Sequence, residues 1–247
     1  MHPLSELERP AAHAEHALVS AILNGDYPAG AALPAERELA GRLGITRPTL
    51  REALQRLARD GWLTIQHGKA TVINDFWREG GLGVLNALAH PHNSASVPTD
   101  FIPNLLEVRS HLAPVYTEAA VRHAPQQAAA LLHAMPAADA SAAAFADFDW
   151  HLQHGLTIAS GNPIYTLILN GFAGFYQIAA QSYFNSAEAR AISDRFYHEL
   201  LAAAEQHNPA AAANLTHRVM ETSTTLWLQL AAQAATDTRG NGKPPAP

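Results

Sequence analysis

The sequence predicts a mostly α-helical chain in two parts: a small helical unit closed by a β-hairpin, then an antiparallel helical bundle. Three observations predict it. Between Thr46 and Gly61, Leu50, Ala53, Leu54 and Leu57 recur at i, i+3, i+4 and i+7, which is one apolar helical face. Directly after it, Leu63 to Ile73 holds two β-prone runs around His67-Gly68-Lys69, which read as a hairpin with glycine at its tip. From residue 99 to residue 235 the pattern is helical throughout, with no alternating strand pattern of useful length.

Taken in order, residues 1–10 carry two prolines and mixed charge and read as a flexible tail. A helix from about Ala12 to Asn24 follows, with Ala14, Leu18, Val19, Ile22 and Leu23 on one side and Gly25 as its C-cap. Asp26-Tyr27-Pro28-Ala29-Gly30 is a turn cluster. Leu33-Pro34-Ala35 leads into a helix from Glu36 to Leu43, closed by Gly44. A tight Gly44-Ile45-Thr46 turn separates it from the next helix. There Thr46 is a good N-cap, Pro48 is tolerated in the first turn and Gly61 is a stop. Two helices joined by a tight turn, followed by a hairpin, make a winged helix-turn-helix, placed at 11–75. Residues 76–98 read as a linker with one short helix, Val84 to Ala89, and a loop from His90 to Pro98. The bundle, 99–235, is expected to hold about six or seven helices, broken near Pro125, Pro136, Ser160-Gly161-Asn162-Pro163, Asn185 and Asn208-Pro209. Pro103 is expected in a first helical turn and Pro114 at a kink. Residues 236–247 read as a disordered tail.

Charge points to a function for the first part. The chain of 247 residues has a formal net charge of −6. Residues 37 to 69, however, hold seven Lys/Arg against three Asp/Glu, a local balance of +4. Arg47, Arg51 and Gln55 lie off the leucine face, on the helix that a winged helix offers to the major groove. A basic island in an acidic protein, at that place, implies contact with phosphates and base edges of double-stranded DNA. Other classes lose ground. There is no cysteine, hence no disulfide framework and no thiol nucleophile. The first ten residues lack the apolar core of a signal peptide, and no uncharged apolar run is long enough to span a bilayer. A soluble, cytoplasmic protein with no membrane partner is expected. No nucleophile elbow, zinc-protease, P-loop or dinucleotide motif stands in a fitting context, so the chain does not read as an enzyme. His90 and His92 lie in a Pro/Asn/Ser loop without a carboxylate and do not read as a metal pair.

The run Gly25…Tyr27-Pro28…Gly30…Leu33-Pro34…Glu36-Arg37-Glu38-Leu39-Ala40…Leu43-Gly44-Ile45-Thr46-Arg47…Thr49-Leu50-Arg51-Glu52-Ala53-Leu54 resembles the DNA-binding domain of the GntR family of bacterial regulators. Arg56 to Lys69 narrows the resemblance to the acyl-CoA-responsive branch that regulates fatty acid metabolism. Ser96 to Arg109, Ala159 to Gly171 and Tyr183 to Arg190 with Phe196-Tyr197-His198 carry it into the bundle. It is weakest after Ala203. The resemblance implies that Arg37, Arg47 and Arg51 meet the DNA, that Thr46 and Thr49 meet its backbone, and that His67, Gly68 and Lys69 enter the minor groove from the wing. The chemistry agrees, because arginine pairs bidentately with guanine O6 and N7. Pro48 departs from this branch, where threonine is expected, and removes one hydroxyl contact.

For the bundle the resemblance implies a pocket for long-chain acyl-CoA, the effector, lined by Leu105, Leu106, Arg109, Gln153, Tyr176, Tyr183, Ser223 and Trp227. On residues alone, Arg109 among leucines needs an anionic partner. A CoA phosphate and an internal carboxylate such as Asp149 both qualify. Tyr176 and Tyr183, seven apart, share one helical face, which taken alone also describes a core stripe. A related branch binds a divalent metal through one Asp and three His. Asp149 matches there, but Gln153 stands at a histidine position and His154 is one residue out of register, so no metal and no cofactor is expected. His217 and Arg218 fall near the expected CoA phosphates, whereas Ala231-Ala232-Gln233-Ala234-Ala235 stands where lysine is expected. The resulting expectation is a homodimeric regulator that represses fatty acid degradation genes, activates unsaturated fatty acid synthesis genes and leaves DNA when acyl-CoA binds. A metal-dependent sensor of a small organic acid is the alternative on the same scaffold; a helical acyl carrier or enzyme with an incidental winged helix is the alternative from another class.

Overall fold

The computed structural model describes residues 10–66, 68–88 and 100–240, and they form two compact units divided between Pro98 and Thr99. In the first unit, α1 (Pro10–Leu23) buries Ala11, Ala14, Leu18, Val19 and Ile22 on the face that packs against α3 (Arg47–Asp60). The intervening α2 (Glu36–Leu43) buries only Leu39 and Ala40 and ends at Gly44. With φ at 66°, Gly44 holds a left-handed turn where a Cβ is unwelcome. Thr46 caps α3, its hydroxyl accepting from Thr49 N at 3.4 Å, and Leu50, Ala53, Leu54 and Leu57 are all buried. Burying a leucine side chain stabilises by about 1.5–3 kcal/mol, so this stripe anchors the whole unit.

The hairpin is shorter than its β-prone runs. Strands β1 (Leu63–Thr64) and β2 (Val72–Ile73) pair antiparallel, Leu63 opposite Ile73 and Thr64 opposite Val72. The other edge of β2 takes up chain that the sequence reads as an approach to α2. Gly30 N donates to Ile73 O at 2.8 Å, Leu33 N to Thr71 O at 2.8 Å, and Ile73 N to Ala31 O at 2.9 Å. Two helices occupy part of the stretch expected to be linker: α4 (Phe76–Glu79) and α5 (Leu82–Leu88). Phe76 lies 4.7 Å from Trp62, which is 1% exposed, and Gly81 N donates to Asp60 O at 3.0 Å. This stretch packs within the first unit. The expectations for residues 1–9, for His67, for residues 89–99 and for residues 241–247 of the tail lie outside the described residues.

In the second unit seven helices follow among the described residues: α6 (Phe101–His123), α7 (Pro125–Leu132), α8 (Ala142–Ala159), α9 (Pro163–Asn170), α10 (Ala173–Phe184), α11 (Ala187–Glu205) and α12 (Pro209–Gly240). Prolines and caps set their starts. Pro125 and Pro163 occupy first turns, and Ser141, Asn162 and Ser186 cap α8, α9 and α11 through their side chains. The α6 helix continues through Pro114. The α12 helix runs to Gly240, beyond the start expected for the tail. Long α6 and α12 lie together, and both bury alanines fully in the core, Ala113 and Ala120 on α6 and Ala212 on α12. The core between α8 and α11 is aromatic, with the Phe145 and Tyr197 rings stacked 6.4 Å apart and Phe148 edge-on to Tyr197 at 4.8 Å.

Candidate DNA interface and ligand cavity

The leucine stripe that buries one face of α3 exposes the opposite one. Arg47, Arg51 and Gln55 stand on that exposed face, and Arg37 is exposed on α2. Thr46 is exposed and Thr49 half-buried, their hydroxyls 2.8 Å apart at the start of α3. Gly68 and Lys69 are exposed at the hairpin tip, where Gly68 has φ 73°. The arginines differ in what holds them. Arg51 Nε donates to Glu36 Oε2 at 2.8 Å, and Arg47 Nη2 lies 3.7 Å from the same oxygen. Arg42 and Arg56 pair one turn back along their own helices, with Glu38 at 2.5 Å and Glu52 at 2.6 Å. Arg37 and Lys69 make no ion pair with any described residue. All of this is polar and wet, so each pair is worth about 0–1 kcal/mol and exchanges easily for a phosphate or a base edge.

The bundle encloses a cavity with about 1080 Å³ of empty space, its mouth included. Its wall is mostly apolar: Ile102, Leu105, Leu106 and Leu112 come from α6, Ile168 and Leu169 from α9, and Met220 and Trp227 from α12. One polar network interrupts it. Asp149, on α8, accepts from the Tyr197 hydroxyl at 2.9 Å and from the Tyr176 hydroxyl. Arg109 Nη2, on α6, donates to Tyr176 Oη at 3.0 Å and reaches Asp149 Oδ2 at 3.4 Å, with its guanidinium 5.2 Å from the centre of the Tyr176 ring. Four helices, α6, α8, α10 and α11, are thereby tied through one carboxylate. Burial opposes charge on Arg109, yet Tyr176 and Asp149 outweigh it and raise its pKa further above the ordinary arginine range. Burial, more than any neighbour, pushes Tyr116, Tyr176 and Tyr197 well up from the ordinary tyrosine value. The Tyr183 hydroxyl lies buried at the cavity and meets no aligned hydrogen-bond partner, although Ser223 is near enough to oppose the rise that burial causes in its pKa.

Two family models divide the chain between them. Residues 10–73 match that of bacterial regulatory proteins of the GntR family, and residues 74–238 match that of the FadR C-terminal domain. The chain belongs to the FadR group of the GntR family. It is 45% identical over 220 residues to a fatty acid metabolism regulator protein of Klebsiella pneumoniae, covering 89% of this chain and 91% of that one. It is 44% identical over 221 residues to the protein of the same description from Shewanella halifaxensis, covering 90% and 92%. Among solved structures, Lar of Listeria monocytogenes shares the fold, with a TM-score of 0.57 at 18% identity over 93% of this chain and 100% of that one. The chain is accordingly a DNA-binding transcription regulator and not an enzyme.

Most residues that the FadR resemblance assigns to the pocket come together. Leu105, Leu106, Arg109, Tyr176, Tyr183, Ser223 and Trp227 all line the cavity. Gln153 does not. One turn past Asp149, it is 1% exposed and accepts the Tyr116 hydroxyl at 2.6 Å, so Tyr116 forms the wall at that point. Its Nε2 has no hydrogen-bond partner. Sequence reasoning singled out neither Tyr116 nor the hub role of Asp149. Tyrosine–carboxylate pairs spanning 27 and 48 residues leave no periodic trace. The same carboxylate bears on the metal alternative. A divalent cation needs converging carboxylates or neutral imidazoles. Asp149 instead meets a guanidinium and two phenol donors, and no group of three His, Asp or Glu among the described residues is arranged to hold a metal ion. The donor set does not fit a cation.

Proposed function

We propose that the chain is a homodimeric, cytoplasmic regulator of fatty acid metabolism genes that leaves its operator when the acyl chain of a long-chain acyl-CoA fills the bundle cavity. The observation that carries this reading is the cavity itself: largely apolar, walled by α6, α9, α10 and α12, and crossed by a single charged network. An acyl chain suits the leucine, isoleucine and phenylalanine wall. Its polar end suits Arg109, Tyr183 and Ser223. Arg109 stays partly accessible, with 28% of its side chain exposed, while Asp149 keeps two other donors, so the arginine is the member of the network free to change partner. Because the network joins four helices, an occupant that draws Arg109 away shifts α6 against α8 and α10. A ligand moves such an equilibrium only through differential affinity for the two arrangements, and this exchange of partners supplies it. Family membership supports the rest: Arg37, Thr46, Arg47, Thr49, Arg51, His67, Gly68 and Lys69 contact DNA, two copies read the two half-sites of an operator, degradation genes are repressed and unsaturated fatty acid synthesis genes activated. With alanines where the group is expected to carry lysine, the CoA phosphates are held more weakly.

The test is electrophoretic mobility shift of an operator duplex with oleoyl-CoA or with CoA alone. Oleoyl-CoA is expected to release the duplex and CoA to leave it bound. In calorimetry Arg109→Ala is expected to weaken oleoyl-CoA binding by roughly tenfold or more, as loss of a charge-assisted hydrogen bond implies. A duplex that stays bound under saturating oleoyl-CoA would overturn the effector assignment. Unchanged affinity in the Arg109 variant would remove that residue from the ligand site.

A further inference from the structure

We infer that Glu36 is a specificity-determining positioning residue of the DNA interface, acting through the arginines of α3; this rests on the reading of Arg51 and Arg47 as base readers. Glu36 is an anomaly where it stands. It is an acidic side chain with 33% exposure inside the basic face that approaches a polyanion. A carboxylate there weakens attraction to every phosphate nearby, whatever the sequence. Its position in the first turn of α2 gives it a helix-end role too, but Glu38 lies in the same turn. What distinguishes Glu36 is its reach across the turn to the next helix. Its Oε2 accepts from Arg51 Nε at 2.8 Å and lies 3.7 Å from Arg47 Nη2, so one oxygen serves both arginines.

The choice of Nε matters. A guanidinium has five N–H donors, one on Nε and four on the two Nη nitrogens. Bonding through Nε uses the donor on the stem side and leaves the terminal fork for a further acceptor. Guanine O6 and N7 are read by two parallel donors. A long, rotamer-rich side chain held at its Nε arrives with less freedom to lose, so the gain falls on the geometry that fits a base edge and not on loose phosphate contact. Glu36 thus gives up affinity for DNA in general and raises the ratio between the right and the wrong sequence.

The experiment measures that ratio by fluorescence anisotropy with two probes: a duplex that the wild-type chain selects from a random pool, and a shuffled duplex of the same composition. Melting curves accompany each variant. Glu36→Ala is expected to bind the shuffled duplex more tightly and to lose about tenfold in the ratio, the discrimination carried by one bidentate base contact. Glu36→Gln is expected to bind the shuffled duplex equally tightly yet keep most of the ratio, because its carboxamide oxygen still accepts from Nε. In an Arg51→Ala background most of the Glu36→Ala effect on the ratio disappears, the signature of residues that act as a unit. Equal losses of ratio in Glu36→Gln and Glu36→Ala would overturn the proposal, reducing Glu36 to a charge. Fully independent effects of Glu36→Ala and Arg51→Ala would overturn it as well. If Arg51→Ala alone leaves the ratio unchanged, the base-reader assignment fails first and the positioning role falls with it.

Discussion

The two units treat the arginine–carboxylate pair in opposite ways. In the winged helix, Arg42, Arg47, Arg51 and Arg56 pair with glutamates at the surface, in water, with other donors to spare. In the bundle, Arg109 meets Asp149 where the carboxylate side chain is only 9% exposed and two tyrosines complete its shell. The same two chemical groups are a reservoir of exchangeable contacts in one unit and a structural knot in the other. Solvent makes the difference. Exposed pairs are screened and nearly neutral in energy, whereas a buried carboxylate that loses its partners keeps its full desolvation cost.

The sharpest way to break the knot is Asp149→Ala. It strands Arg109 and leaves the hydroxyls of Tyr176 and Tyr197 without their acceptor, so a loss of about 3–5 kcal/mol is expected by urea unfolding. A loss below about 1 kcal/mol, the worth of an ordinary surface pair, would erase the contrast between the units. Next in size is the alkaline limb of stability. The folded pKa values of Tyr176 and Tyr197 are raised, mainly by burial and further by Asp149, above an ordinary value of 10.0. A raised pKa contributes stability that is complete below the unfolded value and lost as pH climbs toward the folded one. Above about pH 10 each tyrosine is therefore expected to cost about 1.4 kcal/mol per pH unit. Melts between pH 9 and pH 11 should show that slope, and a Tyr176→Phe, Tyr197→Phe chain should show a shallower one. An unaltered slope would mean that the alkaline sensitivity lies elsewhere. Smallest in stability is Arg47→Ala, expected to change the unfolding free energy by under about 0.5 kcal/mol because it removes only a surface pair. Its effect falls on DNA, where each lost base contact costs about 1–3 kcal/mol. Operator affinity within about twofold of wild type, far below that cost, would deny Arg47 a reading role.

What was legible in the sequence follows the same division. Features written in consecutive residues were plain: the leucine stripe of α3, its Thr46 cap, the Gly44 turn, and the breaks at Pro125, Pro163 and Pro209 that open bundle helices. The local basic balance pointed to the stretch whose arginines stand exposed on α2 and α3. Pairings across a turn or between helices were not legible. Helical periodicity places Arg51 off the apolar face but says nothing of Glu36, fifteen residues back on another axis. Nor does it show that Tyr116 would displace Gln153 from the cavity wall. Of the two partners open to Arg109, the structure pairs it with Asp149; the sequence held both because an arginine among leucines demands an anion without naming it.

Gly61 carries a practical consequence for anyone building hybrid regulators from this chain. Its φ is 92°, and a Cβ there would come within 2.7 Å of the Glu79 carbonyl oxygen and 2.8 Å of the Gly80 Cα. The Asn74 amide donates to Trp62 O at 3.0 Å, its side chain donates to Gly61 O at 3.1 Å, and the Asp60 carboxylate lies against Gly83. The end of α3 is thus wrapped by residues whose sequence kinship lies with the C-terminal domain, since the match to that domain begins at residue 74. A chimera spliced at the kinship boundary would trade away the wrapping and keep the glycine shaped for it. The splice belongs beyond Leu88, so that the grafted reading head brings its own collar.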